Sequence, residues 1–170
     1  MRRIRYCVVA SLDGYIAGPN GEADWIPRDP DIDFGAIFSQ FDTALVGRKT
    51  FERMVSAGRA SLPGMKIIVF SRTLRQEDYP TVLIAAKNQQ KILTALKASA
   101  GKDIWLFGGG ALFRSLSEAG LVDTVEVSIA PVLLGQGIPL LPGSANQIKL
   151  SLHAQKVYKT GLVSLEYAIA

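Results

Sequence analysis

The ten residues Ile104–Phe113 read IWLFGGGALF. Apolar residues lead into three glycines and resume after them, which is typical of a buried strand that turns into a helix. Glycine lets the backbone approach a phosphate closely, and the start of the next helix offers free N–H groups and a partial positive charge. The dinucleotide fingerprint G-x-G-x-x-G is incomplete, because Phe113 stands where its third glycine would be. The stretch predicts an α/β unit whose turn either binds phosphate or is simply tight.

Two earlier strands are also predicted to end in polar residues. Residues 47–50 read GRKT after one strand, and residues 71–73 read SRT after the next. Arg48 and Lys49 stand at a predicted helix start, where the helix dipole favours anions over cations, so a bound anion would explain them. The alternative is a solvated helix start. Parallel strands present ligands at their C-terminal ends, so the three strand ends together predict a site for a ligand with several phosphates.

The whole chain alternates β-rich runs with helical patterns, and its last three strands have no helices between them. This order predicts an α/β fold with one central mixed sheet, parallel at the front and antiparallel at the tail, and helices on both faces. No repeat or linker is visible, so we expect a single domain over residues 1–170. The predicted strands are Ile4–Ala10, Thr43–Val46, Met65–Phe70, Thr81–Ala85, Asp103–Phe107, Val122–Ile129, Ile148–Tyr158 and Leu162–Ile169. The predicted helices are Asp31–Gln40, Arg48–Ser56, Gln89–Ala100 and Ala111–Ala119, and Ser11–Pro30 is predicted to be a long functional loop.

The composition excludes several classes of protein. With 170 residues, 48% of them hydrophobic and 20% charged, the chain is typical of a globular domain. One cysteine, Cys7, and one histidine, His153, exclude an internal disulfide and a Cys/His zinc cluster, and they favour a reducing compartment. The net charge of +4 is scattered, which argues against nucleic-acid binding. The longest uncharged segment, Val127–Ile148, contains three prolines, so we expect no membrane span and a soluble, cytoplasmic protein.

The three strand-end motifs, in this order and spacing, resemble those of dihydrofolate reductases and their relatives. The opening residues 11–17, SLDGYIA, resemble the shared start of that superfamily. Residues 130–140, APVLLGQGIPL, resemble the reductase domain of riboflavin biosynthesis. The resemblance covers nearly the whole chain. It implies a central mixed, mostly parallel sheet of about eight strands and NADPH as the cofactor.

The same resemblance implies which residues bind the cofactor. They are Gly47, Arg48, Lys49 and Thr50 at its phosphates; Ser71, Arg72 and Thr73 around the adenosine ribose and its 2′-phosphate; Gly108, Gly109, Gly110, Ala111 and Leu112 at the pyrophosphate turn; and Ala10 and Ile16 beside the nicotinamide.

The substrate side is less sharply defined. In dihydrofolate reductases an acidic residue at the start of the helix before the GRKT strand holds the pterin ring, which makes Asp33 the first catalytic candidate and Asp31 the second. Asp33 precedes Phe34 and Phe38, so one helical face offers a carboxylate beside apolar surface. The alternative is that both aspartates only cap the helix.

Two loop residues complete the expected substrate site. Asp13 either reaches the acceptor or forms a structural turn with Gly14, and Trp25 either closes over the ligand or anchors its loop. The remaining aromatic and thiol candidates, Trp105, Phe107 and Cys7, are expected in the core.

These residues predict an NADPH-dependent reductase that transfers a hydride to a small heterocycle of pterin, dihydrofolate or pyrimidine type. One alternative is the 5-amino-6-(5-phosphoribosylamino)uracil reductase of riboflavin biosynthesis, which would need a further cationic phosphate site. Another is an NADPH-binding protein without turnover. A homodimer is also expected, through the C-terminal strands and the apolar Pro131–Pro142 stretch.

Overall fold

The computed structural model describes residues 1–143 and 146–170, and its centre is one eight-stranded sheet. A small second sheet pairs β2 with β8. The strands are β1 Ile4–Ser11, β2 Tyr15–Ala17, β3 Phe41–Gly47, β4 Lys66–Phe70, β5 Leu83–Ala85, β6 Asp103–Gly108, β7 Thr124–Ala130, β8 Ile138–Pro139, β9 Leu150–Val157 and β10 Val163–Ile169. The helices are α1 Phe34–Phe38, α2 Arg48–Ser56, α3 Gln89–Ala98 and α4 Gly110–Glu118, with a short 3-10 turn at Gln76–Asp78.

The strand order in the central sheet is β5-β4-β3-β6-β1-β7-β10-β9. The pairs from β5 through β7 are all parallel, whereas β10 pairs antiparallel with both β7 and β9. The predicted mixed sheet, with a parallel front and an antiparallel tail, is therefore confirmed. Each of the predicted strands of this sheet is present, with ends that differ by at most two residues.

Helices cover both faces of the sheet, as predicted. On one face Tyr6 and Leu106 pack beneath α3 and α4, and the Tyr6 ring stacks on Phe113 of α4 with centroids 4.0 Å apart. On the other face Val46 and Val69 pack beneath Phe51 of α2. Burying apolar side chains on both faces explains why the parallel strands are nearly continuous hydrophobic runs.

Three details differ from the sequence-based expectation. The helix predicted over Asp31–Gln40 shrinks to α1, because Asp33 caps it and places its first turn at Phe34. The long loop Ser11–Pro30 contains strand β2, which pairs with an equally short β8 that the pattern does not reveal. Runs of two or three residues are too short to show a strand period.

A further correction concerns the core. Trp105, Phe107 and Cys7 were expected in the core but are only half-buried, and of the three Phe107 packs against the cluster beneath α2. They lie on strands β6 and β1 where the sheet face is incompletely covered. Within residues 1–143 and 146–170, no helix is both long and apolar enough to cross a membrane.

Candidate active site

Three polar strand ends lie side by side at one edge of the central sheet. Strands β4, β3 and β6 are neighbours, with Phe70 opposite Gly47 and Val46 opposite Gly108. All three run in the same direction, so the segments that follow them leave the sheet at the same edge. The structure thus brings together the GRKT, SRT and GGG motifs, which are separated by up to about 60 positions in the chain.

The backbone at this edge forms a narrow cradle of glycines. A Cβ on Gly109 would lie 3.2 Å from the Thr50 hydroxyl, and one on Gly47 would lie 3.6 Å from the Gly108 carbonyl oxygen. Gly108 has a φ of 144°, which favours glycine, and its peptide bond to Gly109 is cis. The start of α2 and the start of α4 therefore approach each other through backbone rather than through side chains.

Both helices begin without a capping side chain. Gly47 is the N-cap of α2 and Gly109 is the N-cap of α4, and neither first turn contains an acidic residue. An uncapped helix start presents N–H donors and a partial positive charge to whatever lies in front of it. Two such starts at one sheet edge are suited to a ligand with linked phosphates.

The cations of this edge differ in their surroundings. Arg48 is half-exposed and donates from Nη1 to both carboxylate oxygens of Glu52, at 3.0 and 3.1 Å. Lys49 and Arg72 are exposed, and neither has an ion-pair partner in the part of the chain that the structure describes. The edge therefore keeps a net positive charge.

Ser71, which is expected at the adenosine ribose, has a structural role in the turn after β4, and its contact with the ribose stays a prediction. It is buried, and its hydroxyl oxygen accepts hydrogen bonds from the N–H groups of Thr73 and Leu74, at 3.2 and 3.0 Å. The hydroxyl thus stabilises the turn after β4. Arg72, in the middle of that turn, is exposed.

The segment expected beside the nicotinamide is firmly held. Ala10 is buried on β1, and Ile16 on β2 packs against the core beneath α4. Asp13, in the turn between these strands, accepts from the Ser11 hydroxyl at 2.6 Å and from the N–H groups of Gly135 and Leu134 at 2.7 and 3.1 Å. The Ser11 bond, with those backbone bonds, holds the pKa of Asp13 below its usual range. The geometry favours the structural-turn alternative for this residue, and its contact with a substrate stays a prediction.

The two acidic catalytic candidates lie at α1. Asp33 is exposed and caps the helix, with its carboxylate accepting from the Ala36 N–H at 2.9 Å. Asp31 is exposed, and its carboxylate lies 3.6 Å from the Lys159 ammonium. The observed contacts are those of the capping and surface roles, so catalysis by either residue stays a prediction. Phe34 and Phe38, 55% and 39% exposed, form an apolar wall beside them.

The loop before α1 is tied to the far end of the sheet. Trp25 is half-buried, and its indole N–H donates to the Glu22 carbonyl within the same loop, at 3.0 Å. Asp29 is buried and accepts from the hydroxyl and the N–H of Thr160, at 2.7 and 3.1 Å. The Thr160 hydroxyl bond is the main cause of the lowered pKa of Asp29. These contacts favour a loop-anchoring role for Trp25, and nothing in the local sequence indicated the role of Asp29.

Sequence reasoning also missed a polar cluster on the partly covered sheet face. Arg5 on β1 forms two hydrogen bonds to the Glu126 carboxylate on β7, at 2.6 and 2.7 Å, and a third to the Gln40 side chain at 2.7 Å. The Cys7 thiol lies 3.3 Å from Glu126. Burial raises the pKa of this thiol, and the nearby Glu126 charge adds to the effect, so Cys7 is a neutral donor.

Aromatic side chains adjoin this cluster. The Trp105 indole N–H donates to the Cys7 carbonyl at 3.1 Å, and the ring stacks on Phe38 with centroids 5.2 Å apart. Phe107 meets the same ring edge to face at 4.8 Å. The alternation of polar residues on β1 and β7 was the available signal, since Arg5, Cys7 and Glu126 share one face. The result is a group of aromatic rings beside polar residues of β1, the strand that also carries Ala10. Among the described residues, no group of three His, Cys, Asp or Glu side chains is arranged to hold a metal ion.

The fold is that of the dihydrofolate reductases. A dihydrofolate reductase from Enterococcus faecalis, complexed with NADP(H) and RAB-propyl, superposes with a TM-score of 0.68 over 98% of this chain and 94% of that one, at 21% identity. At that identity the match concerns the fold alone.

Within this fold the chain belongs to the RibD C-terminal domain family, whose model matches residues 2–164. It is similar to the uncharacterized protein YyaP of Bacillus subtilis (strain 168), with 35% identity over 98% of this chain and 94% of YyaP. It is also similar to a crystal structure from Shewanella sp. PV-4 of a protein provisionally assigned to riboflavin biosynthesis. That match has a TM-score of 0.83 and 26% identity, and it covers 100% of this chain and 99% of the other.

Proposed function

We propose that this protein is an NADPH-dependent reductase that transfers a hydride to a small heterocycle of pterin, dihydrofolate or pyrimidine type. Membership of the RibD C-terminal domain family and the dihydrofolate reductase fold support an oxidoreductase. The observation that carries the cofactor part is the sheet edge where two uncapped helix starts lie beside Lys49 and Arg72, which have no ion-pair partner among the described residues.

The residues at that edge fit the phosphates of a dinucleotide. A Cβ on Gly109 would press against the Thr50 hydroxyl at 3.2 Å, and glycine at this position leaves the backbone N–H groups of the turn more accessible to a ligand. The starts of α2 and α4 would bind the pyrophosphate, and Thr50 lies within reach of the same turn. Arg72 would bind the 2′-phosphate, since guanidinium groups contact phosphate in a bidentate manner. When bound there, the cofactor supplies the hydride.

The acceptor would lie beside α1, on the partly covered sheet face. Phe34 and Phe38, 55% and 39% exposed, offer apolar ring surface to a planar acceptor. Asp33 at the start of α1 remains our first candidate for orienting or protonating the acceptor, with Asp31 second. Asp33 could do so only by exchanging its cap bond to Ala36 for a bond to the acceptor.

A phosphoribosylamino-pyrimidine reductase is the second candidate, because the chain belongs to the RibD C-terminal domain family. Such a substrate needs a cation for its own phosphate. On this sheet face Arg5 is already bound to Glu126 and Gln40. This arrangement favours an acceptor without a phosphate group.

The test is direct binding followed by turnover. Calorimetry with NADPH, NADH and NADP is expected to show tight binding of NADPH, weakened in Arg72→Ala. Oxidation of bound NADPH is then followed by absorbance with dihydrofolate, other pterins, pyrimidines and a phosphoribosylamino-pyrimidine. Failure to bind any of the three cofactors contradicts the reductase. Tight binding without oxidation by any acceptor supports a cofactor-binding protein without turnover.

We also propose that the protein forms a homodimer. Strand β9 is an edge of the central sheet with every residue exposed, including Leu150, Leu152 and Val157 at 42%, 53% and 72%. An edge strand with exposed apolar side chains is suited to pairing with another chain. Light scattering on a size-exclusion column should give twice the monomer mass, and Leu152→Lys should shift it to the monomer while Ser151→Lys serves as the matched control. A monomeric wild-type protein would contradict this part of the proposal.

A further inference from the structure

The corner formed by the ends of β3 and β4 contains three cations and one carboxylate. Gly47 and Phe70 are register partners, so Arg48 and the Ser71-Arg72 turn leave the sheet on adjacent strands, about 5 Å apart. Lys49 follows Arg48 in the first turn of α2, and Glu52 stands one turn further along the same helix. These residues differ in whether their charge is already compensated.

Glu52 compensates part of the positive charge of Arg48 through a single guanidinium nitrogen. Both carboxylate contacts come from Nη1 of Arg48, at 3.0 and 3.1 Å. The Nε and Nη2 donors have no partner among residues 1–143 and 146–170. The pair is 41% and 42% exposed, so it remains open to solvent and to a ligand. Arg48 can still donate to an anion, but the anion also meets the negative charge of Glu52.

Arg72 is different, because no carboxylate pairs with it in the described part of the chain. Its turn is held rigidly by the buried Ser71 hydroxyl, which accepts from two backbone N–H groups. A phosphate that binds at this corner therefore meets the uncompensated guanidinium of Arg72 and the guanidinium of Arg48, whose charge Glu52 partly neutralises.

We infer that Glu52 is a specificity-determining residue for the proposed cofactor: by neutralising Arg48 it leaves recognition of the 2′-phosphate mainly to Arg72 and limits the preference for NADPH over NADH. This inference rests on the proposed function, since it concerns the same cofactor site. It goes beyond that function by ranking Arg72 above Arg48 in recognition of the 2′-phosphate and by assigning a role in specificity to Glu52.

The physical reason lies in the difference between the two cofactors. NADPH and NADH differ only by the 2′-phosphate, a group that carries between one and two negative charges at neutral pH. Glu52 repels that group and has no comparable effect on the 2′-hydroxyl of NADH. Removing Glu52 also leaves Arg48 uncompensated, and a freed Arg48 at the 2′-phosphate changes the ratio of the two affinities in the same direction. Exposed charges are screened, so we expect a change of about threefold.

The experiment measures the dissociation constants of NADPH and NADH by calorimetry for the wild-type protein and for Glu52→Gln, Arg48→Ala and Arg72→Ala. Glu118→Gln is the matched control, because it removes the same charge from an exposed residue at the far end of α4. Each measurement is made at low salt and at about 0.5 M salt, where the Debye length is a few ångströms. Circular dichroism and thermal melting confirm that each variant is folded.

In Glu52→Gln we expect the NADPH-to-NADH affinity ratio to rise about threefold at low salt and to return toward the wild-type ratio at high salt. Glu118→Gln should leave the ratio unchanged, and Arg72→Ala should lower it more than Arg48→Ala does. An unchanged ratio in Glu52→Gln, or a larger effect of Arg48→Ala than of Arg72→Ala, overturns the inference while the proposed function stands. A wild-type protein that binds neither cofactor overturns the proposed function itself.

Discussion

Arginine side chains lie at both ends of the parallel strands, but the two ends differ in how far carboxylates compensate the arginine charges. At the N-terminal ends, Arg2, Arg3 and Arg5 are ion-paired with Asp42, Asp103 and Glu126 respectively. At the C-terminal ends, Arg72 and Lys49 have no such partner in the described residues, and Arg48 is paired only with exposed Glu52.

The difference shows how a cation's partners indicate its role. A surface cavity of about 540 Å³ lies at the N-terminal end, among Arg2, Arg3 and Asp103. Its size alone would make it a site candidate, but its arginines already hold neighbouring strands and loops together. The C-terminal end combines uncompensated cations with uncapped helix starts. We therefore assign a stabilising role to the arginines of the first end and cofactor binding to the second.

The largest expected effect comes from breaking the most buried ion pair. In Arg5→Met, Glu126 would keep its negative charge without its bidentate partner. Removing one member of a buried pair costs about 3 kcal/mol, because the remaining charge is left uncompensated. Urea unfolding monitored by circular dichroism measures this loss of unfolding free energy. A loss well below 1 kcal/mol would contradict the structural role assigned to the N-terminal end.

The same variant should change the dependence of stability on pH. Burial alone would raise the pKa of Glu126, but the hydrogen bond and charge of Arg5 outweigh it and lower the pKa. The pair therefore stabilises the folded protein above the ordinary carboxyl pKa of about 4.3, and this contribution is lost as the pH falls through the lowered pKa. The stability difference between the wild type and Arg5→Met should narrow from pH 7 to pH 3. A constant difference across this range would show that the ionised pair is not its cause.

At the other end, Arg72→Ala should affect binding rather than folding. Loss of charge-assisted hydrogen bonds to a phosphate is expected to weaken NADPH about tenfold and to leave the melting temperature nearly unchanged. Calorimetry and thermal melting on the same samples make the comparison. A large fall in melting temperature would mean that the turn after β4 depends on Arg72. Arg72 would then have a structural role, which would contradict the difference drawn between the two ends.

The smallest effect is expected for Arg3→Ala. Arg3 binds Asp103 at 2.7 Å, but its side chain is 52% exposed, so the pair is screened by solvent. We expect a loss of stability of less than about 1 kcal/mol and no change in NADPH affinity. A clear change in NADPH affinity would show that the N-terminal end also takes part in binding.

Much of the fold was predictable because its signals are local. Apolar runs of suitable length gave the eight strands of the central sheet, and the helix α2 was predicted with its observed ends, Arg48 and Ser56. Glycine before a helix start marked the turns at Gly47 and Gly108–Gly110. The GRKT, SRT and GGG motifs could be placed at one edge because parallel strands share a direction.

The parts that were not predictable depend on distant partners. The capping bond of Asp33 is local, and the sequence did leave that role open beside catalysis. The anchoring of Asp29 by Thr160 spans 131 positions, and the pairing of Arg5 with Glu126 spans 121. The partial exposure of Trp105 likewise depends on how little of one sheet face the short helix α1 covers. No pattern within a window of ten or twenty residues contains that information.

The sequence by itself determined the α/β class, the elements of the central sheet and the polar motifs at three strand ends, since periodicity and turn chemistry act between neighbours in the chain. Tertiary structure alone decided which charges are compensated. Strand order places Arg5 beside Glu126 and leaves Arg72 facing solvent, and a charge acts on a ligand only where no partner has already neutralised it.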